Sequence, residues 1–206
     1  GADQPDIIME ANQAPITAVA AAPEGTLSAL GSCDGMLQLW DLDQQTLLDR
    51  FTFPVEISAL AVGSDSRVVV GLADGSLGVW DGMSDPSYLD GHDKRITAVA
   101  TLPNGQIVSG SMDLRVRYWN PDTRKSLESF KGLKTHITVI AAAETDNRLV
   151  GGCKDAGVFS WDPGKGTPPI QNTVKIKGTP SQVIAAAVGS HPLVLCGGAD
   201  GIARVI

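Results

Sequence analysis

The 206 residues carry 16 Lys and Arg against 23 Asp and Glu, a net charge of −7, with 43% hydrophobic residues and no apolar run long enough to span a bilayer. That composition gives one globular domain with a sizeable core and disfavours a membrane span or a secretory leader. Three cysteines, Cys33, Cys153 and Cys196, are odd in number and lack metal-ligand spacing, which reads as the reduced thiols of an intracellular protein without bound metal or cofactor.

Residues Pro5 to Glu10 (PDIIME) form a short β-like run ahead of five similar units, at about 15–53, 54–90, 91–131, 132–177 and 178–206. The first unit runs ITAVA from Ile16, an apolar stretch Leu27–Leu30, the phrase GSCDGMLQLWD ending around Trp40, then TLLDRF. The second repeats it with ISALA from Ile57, Val68–Val70, GLADGSLGVWD around Trp80 and PSYLD. The third has ITAVA from Ile96, Ile107–Val108, GSMDLRVRYWN around Trp119 and KSLESF. The fourth has ITVIA from Ile137, Leu149–Val150, GGCKDAGVFSWD around Trp161 and PIQNTVKI, and the fifth has VIAAA from Val183, Leu193–Leu195 and GGADGIARVI, where Ile206 takes the tryptophan's place. The chain's four tryptophans are spaced by 40, 39 and 42 residues. An aspartate stands six positions before each tryptophan position: Asp34, Asp74, Asp113, Asp155 and Asp200.

Asp and Gly accept the positive φ of a tight hairpin, so each unit reads as strand, strand, turn, strand, strand. One such sheet has too little apolar area to offset its own ordering entropy, so the units must pack face to face around an axis. The aspartate and the Trp-Asp ending resemble the WD-repeat family. In the third unit Gly91-His92, Ser109, Asp113 and Trp119 stand where that family places a structural hydrogen-bond relay. The resemblance implies an all-β fold, a β-propeller of five four-stranded blades, with residues 5–10 supplying the last blade's outer strand and closing the ring. In the other units the histidine position holds Asn12, Phe53, Leu133 or Thr179 and the serine position Leu30, Val70, Gly151 or Cys196. The expectation there is weaker polar pinning on the same fold.

No constellation for chemistry is present in the sequence. Of the three histidines, His92 belongs to the relay, His136 precedes the fourth unit's first strand and His191 falls in a turn. His-Glu-x-x-His, Gly-x-Ser-x-Gly and Cys-x-x-Cys are all missing, and Gly164-Lys165-Gly166 lacks the Ser/Thr of a phosphate loop. The expectation is a protein without catalytic residues.

What remains is surface. Residues 1–90 hold 2 basic and 14 acidic side chains, residues 91–206 hold 14 basic and 9 acidic, so the ring has an acidic and a basic side. An acidic total with few aromatic residues in the basic half disfavours nucleic acid. Partners in the resembling family dock most often on the face built from the loops into each first strand and the turns between the second and third. Carried onto this chain, that face includes Glu56, Arg95, Met112, His136, Lys154 and Gln182. Arg95, Met112, His136 and Lys154 make its most distinctive patch, suited to an acidic peptide or protein segment. The function expected is a non-catalytic interaction scaffold. The alternative is a structural subunit whose incomplete propeller is finished by a strand or blade from another chain.

Overall fold

The computed structural model describes residues 14–82, 84–89, 91–143, 147–154, 157–165, 170–172, 184–188, 193–197 and 203–205, the last four segments as backbone strands. Nineteen strands and no helix make up the described chain. The first sheet is β1 (Ile16–Ala21), β2 (Leu27–Ser32), β3 (Met36–Asp41) and β4 (Thr46–Thr52). The second is β5 (Ile57–Val62), β6 (Val68–Leu72), β7 (Leu77–Trp80) and β8 (Ser87–Leu89), and the third β9 (Ile96–Thr101), β10 (Ile107–Ser111), β11 (Arg115–Asn120) and β12 (Lys125–Lys131). The fourth is β13 (Ile137–Ala142), β14 (Leu149–Cys153), β15 (Val158–Trp161) and β16 (Ile170–Asn172). The fifth has three described strands, β17 (Ile184–Val188), β18 (Leu193–Gly197) and β19 (Ala203–Val205). Every sheet is antiparallel with strands in chain order, the arrangement expected from the repeat. The proposed closing strand at 5–10, with Gln182, His191, Asp155, Asp200 and Ile206, lies outside the described residues.

The repeated aspartates close the hairpins between the second and third strands. Asp34 Oδ1 accepts from the Met36 amide at 3.2 Å, Asp74 Oδ1 from the Ser76 amide at 3.0 Å and Asp113 Oδ1 from the Arg115 amide at 3.0 Å. Gly35 and Gly75 follow with φ of 86° and 97°, and a Cβ at either would run into the backbone carbonyl of Phe53 or His92. The third unit places Leu114 at the same point with φ 66°, in a turn closed by the same amide-to-carbonyl bond. A two-carbon acceptor that reaches the amide two residues on, plus a left-handed position, fixes the reversal locally.

The core lies between sheets rather than within one. Ala29, Leu37 and Leu39 of the first sheet and Phe53 after it pack on Ile57, Leu60, Val68, Val70 and Trp80 of the second. Ala59, Val69, Leu77 and Val79 pack on Ile96, Val99, Ile107 and Trp119 of the third. Ala98, Val108, Val116 and Tyr118 pack on Ile137, Ile140, Leu149, Phe159 and Trp161 of the fourth. Each tryptophan from Trp80 onward therefore points at the preceding sheet, and β17 of the fifth sheet lies against β13 and β14 of the fourth.

One fitting recurs at these interfaces. A Cβ on Gly71 would come within 2.6 Å of Ile96 Cγ2, and one on Gly110 within 2.6 Å of Ile137 Cγ2. Gly31 is occupied in the same way by Ile57 and Leu60. Each glycine stands three residues before its unit's aspartate and forms a socket for the first isoleucine of the next sheet, joined by Leu60 at Gly31 and by Ile140 at Gly110. Ile57, Ile96 and Ile137 are all 0% exposed, and Leu60, Val99 and Ile140 are 9%, 8% and 7% exposed. On the first sheet the equivalent pair behaves differently: Ile16 is 43% and Val19 67% exposed.

Candidate protein-binding face

The relay expected in the third unit is formed. His92 Nδ1 donates to Asp113 Oδ2 at 2.9 Å, Ser109 Oγ lies 2.8 Å from His92 Nε2, and Trp119 Nε1 donates to Ser109 Oγ at 2.8 Å. With Nδ1–H spent on the carboxylate, the serine hydroxyl donates to Nε2 and keeps its lone pairs for the indole. The imidazole is wholly covered, and burial, opposed by Asp113, holds its pKa below 6.5. Burial works to raise the Asp113 pKa, but the His92 hydrogen bond and the amides of Asp93 and Arg115 outweigh it and hold the carboxyl below 3.8. This histidine is a structural tie between the loop before β9 and the β10–β11 hairpin, not a group open to a substrate.

The other units replace the relay with different partners. Trp40 Nε1 donates to Gln38 Oε1 at 3.3 Å, and Trp80 Nε1 to the Ser84 carbonyl at 2.8 Å. Among the described residues Trp161 Nε1 is buried with no hydrogen-bond partner, because Gly151 stands at the serine position and the Phe159 ring fills the space a side chain would occupy. Weaker polar pinning is thus realised fully in the fourth unit and offset in the first two by groups with no motif signature.

At the end of the array where chain loops lead into the first strands, each of the first four sheets ties that loop to its own hairpin. The Cys33 amide donates to the Pro15 carbonyl, Ala73 to Glu56, Met112 to Arg95 and Lys154 to His136, all at 2.9 to 3.0 Å. A hydroxyl one residue after each isoleucine adds a second tie: Ser58 to the Gly71 carbonyl at 3.0 Å, Thr97 to Gly110 at 3.1 Å and Thr138 to Gly152 at 3.1 Å. The face assigned from the sequence is therefore assembled, sheet by sheet, as a fixed rim. Along it Lys154 is exposed, while Met112 and His136 are half-buried, His136 more covered than its loop position suggests.

Two of the named residues have a different role. Arg95 clasps Glu56 with both nitrogens, Nη1 to Oε2 and Nη2 to Oε1, each at 2.7 Å, across the boundary between the second and third sheets. The hydrogen bond from Arg95 holds the Glu56 carboxyl below 4.5, and Glu56 in turn raises the Arg95 pKa. Arg95 is thus a cross-sheet strut with its charge already matched, a correction to its reading as a ready charge in the patch. On the opposite end of the array Arg67 bridges Asp65 and, from the next sheet, Asp122.

That opposite end holds an open cleft of about 250 Å³, lined by Pro23, Glu24, Ser64, Thr101, Pro103 and Ala142 among others. Among the described residues that line it, Glu24 is the one titratable group. Among the described residues no group of three or more His, Cys, Asp and Glu is placed to hold a metal ion, and no helix is long and apolar enough to cross a membrane. Cys33 is exposed, Cys153 buried, and neither is in a disulfide.

The comparisons with known proteins follow the repeat. A family model described as WD domain, G-beta repeat, matches residues 4–41 and 85–120, the first and third units. WD repeat-containing protein 1 of Bos taurus is 30% identical over 159 residues, covering 69% of this chain and 25% of its own length. Myosin heavy chain kinase C of Dictyostelium discoideum is 29% identical over 127 residues, covering 60% of this chain and 16% of its own length. A crystal structure of the computationally designed Ika8 protein superposes with a TM-score of 0.77 at 31% identity, covering 95% of this chain and 59% of that one. The chain spans less than a third of the length of these and other leading curated relatives. Aspartate-capped hairpins, tryptophans lodged between stacked four-stranded sheets, a formed relay in the third unit and these matches agree: the chain belongs to the WD-repeat β-propeller family.

Proposed function

We propose that this chain is a non-catalytic intracellular interaction scaffold, and that a protein or peptide partner docks on the rim around Met112, His136 and Lys154. The observation that carries the reading is the rim itself. Four consecutive sheets pin their loops to their hairpins by the same backbone bond, so little conformational freedom remains to be lost on binding. Lys154 offers an exposed cation next to an adaptable thioether and an imidazole, a combination suited to an acidic segment. WD-repeat proteins in general act as protein-interaction scaffolds, and the relay accounts for His92 and Asp113 structurally. Five blades with residues 5–10 closing the ring is the fuller architecture under this reading.

The test is retention of a partner by immobilised protein, wild type beside a Lys154→Glu, Met112→Glu double variant with matched melting temperature. Arg95 is left alone, because reversing it would set two carboxylates together. Loss of the partner from the variant is expected, and equal retention would move the interface off this rim.

A second reading is favoured by the uncovered Ile16 and Val19 on the first sheet. In it the stacked sheets are an open array, completed by a sheet from another chain.

A further inference from the structure

We propose that the aromatic patch between the first and second sheets binds an arginine side chain presented by a basic segment of a protein partner. This surface is separate from the rim, and the proposal does not depend on how the array ends. Four rings meet at the boundary. Phe51 lies edge-on to Phe53 with centroids 5.0 Å apart and tilted to Trp80 at 5.9 Å, and Phe53 lies edge-on to Tyr88 at 6.1 Å. Phe53 and Trp80 are buried, whereas Phe51 is half-buried and Tyr88, on the outer strand β8, is 41% exposed. A tyrosine held edge-on by a buried ring offers an ordered π face to solvent.

Elsewhere in the repeat such a ring comes with its own cation. In the third unit Arg117, two residues before Trp119, sets its guanidinium carbon 5.8 Å from the Trp119 ring centroid. Gly78 holds that position in the second unit, and Phe53 takes the space, so that a Cβ on Gly78 would come within 2.5 Å of its ring. Among the described residues no cation lies over the rings of this first boundary.

The field there is negative. Residues 41–90 hold 9 acidic and 2 basic side chains. Arg67 is committed to Asp65 and Asp122, and Arg50 stands opposite Gln38, on the face of β4 turned away from the second sheet. Asp49, opposite Leu39, shares the other face with Phe51. Partial burial, then the charges of Asp74 and Asp85, hold the Tyr88 phenol above 10, so both carboxylates lie near that ring. Among the described residues Asp49, Asp74 and Asp85 are in no ion pair. A negative field over an aromatic face selects a cation. Arginine answers both features at once, since its planar guanidinium stacks on a ring while its N–H fork reaches a carboxylate.

The probe is a peptide of three arginines spaced by single glycines, titrated calorimetrically into the whole chain, with its lysine counterpart beside it. The arginine peptide is expected to bind saturably, more weakly as salt is added, and more tightly than the lysine peptide. Its arginine δ protons are expected to show upfield ring-current shifts in NMR spectra of the complex. Tyr88→Ser is expected to lower affinity about two- to fivefold and to remove those shifts, while Tyr88→Phe, which keeps the ring, matches the wild type. Asp85→Asn is expected to lower affinity by a similar factor, and Glu24→Gln, which removes an exposed carboxylate by the cleft, to leave it unchanged. Where Tyr88→Ser does not fold, Tyr88→Leu keeps the bulk and removes the π face. Absence of binding overturns the proposal, as does a serine or leucine variant that binds like the wild type. Equal affinity for the two peptides, or a loss with Asp85→Asn no larger than with Glu24→Gln, reduces the patch to general negative charge and also overturns it.

Discussion

His92 carries its proton on Nδ1 toward Asp113 and sits fully covered, so protonating Nε2 would break its bond to Ser109 as well as charge a buried ring. Its folded pKa lies below 6.5, so on acidification the unfolded chain takes up this proton first. The stability tied to His92 is therefore complete above pH 6.5 and falls as pH drops from there toward the lower folded value. Asp113 has the same sign below pH 3.8. The melting temperature is expected to fall from about pH 7.5 to about pH 5.5, with His92→Asn lowering stability at neutral pH by about 1–3 kcal/mol but flattening that slope. Parallel pH profiles for the two proteins would remove His92 as the cause. Gly151 makes the opposite kind of point. Copying the third unit's serine into the fourth, Gly151→Ser, looks like a repair for the orphaned Trp161 indole. The Phe159 ring, 1% exposed, already occupies that space, so the change is expected to destabilise by about 1–3 kcal/mol in chemical denaturation. The aspartates, the relay and the tryptophans were legible because each is a residue type at a fixed spacing. Gln38, the Ser84 carbonyl and Phe159 were not, because a substitute partner need only reach the same point in space.

Strands and turns follow the sequence closely, since alternation of β-branched residues and the Asp-Gly turns act within a few residues. The candidate rim was legible in position, because it follows from the order of strands. Its electrostatics were not, as Arg95 and Glu56 are 39 residues apart and meet only when two sheets stack. Both side chains are about a third exposed, at 32% and 30%, so solvent screening keeps the pair modest. A double-mutant cycle with Arg95→Ala and Glu56→Ala is expected to give a coupling of about 0.5–1 kcal/mol that shrinks in high salt. A coupling near zero would mean that the two side chains spend their time apart in solution.

Across the whole molecule stability resides between sheets, and neighbouring sheets depend on one another as repeats in an array do. Ile57→Ala removes a side chain with 0% exposure from the socket at Gly31 and is expected to cost about 2–5 kcal/mol. Ile16→Ala, the same residue type in the same motif, is expected to change the stability of the isolated chain by no more than about 0.5 kcal/mol, as 43% of it is already in water. Equal costs in calorimetry would mean that Ile16 is buried in solution. The sequence by itself determined the repeat, the strand order within each unit and the hairpin caps, because each rests on contacts between residues close in the chain. Only the tertiary structure decided which isoleucine is seated and which is bare, which arginine has its charge matched and which indole lacks a partner. The first two outcomes depend on one sheet's distance and orientation to the next, and so on residues about 25 to 40 positions apart that carry no mark of each other in the chain, and the third on the Phe159 ring filling the space beside Gly151.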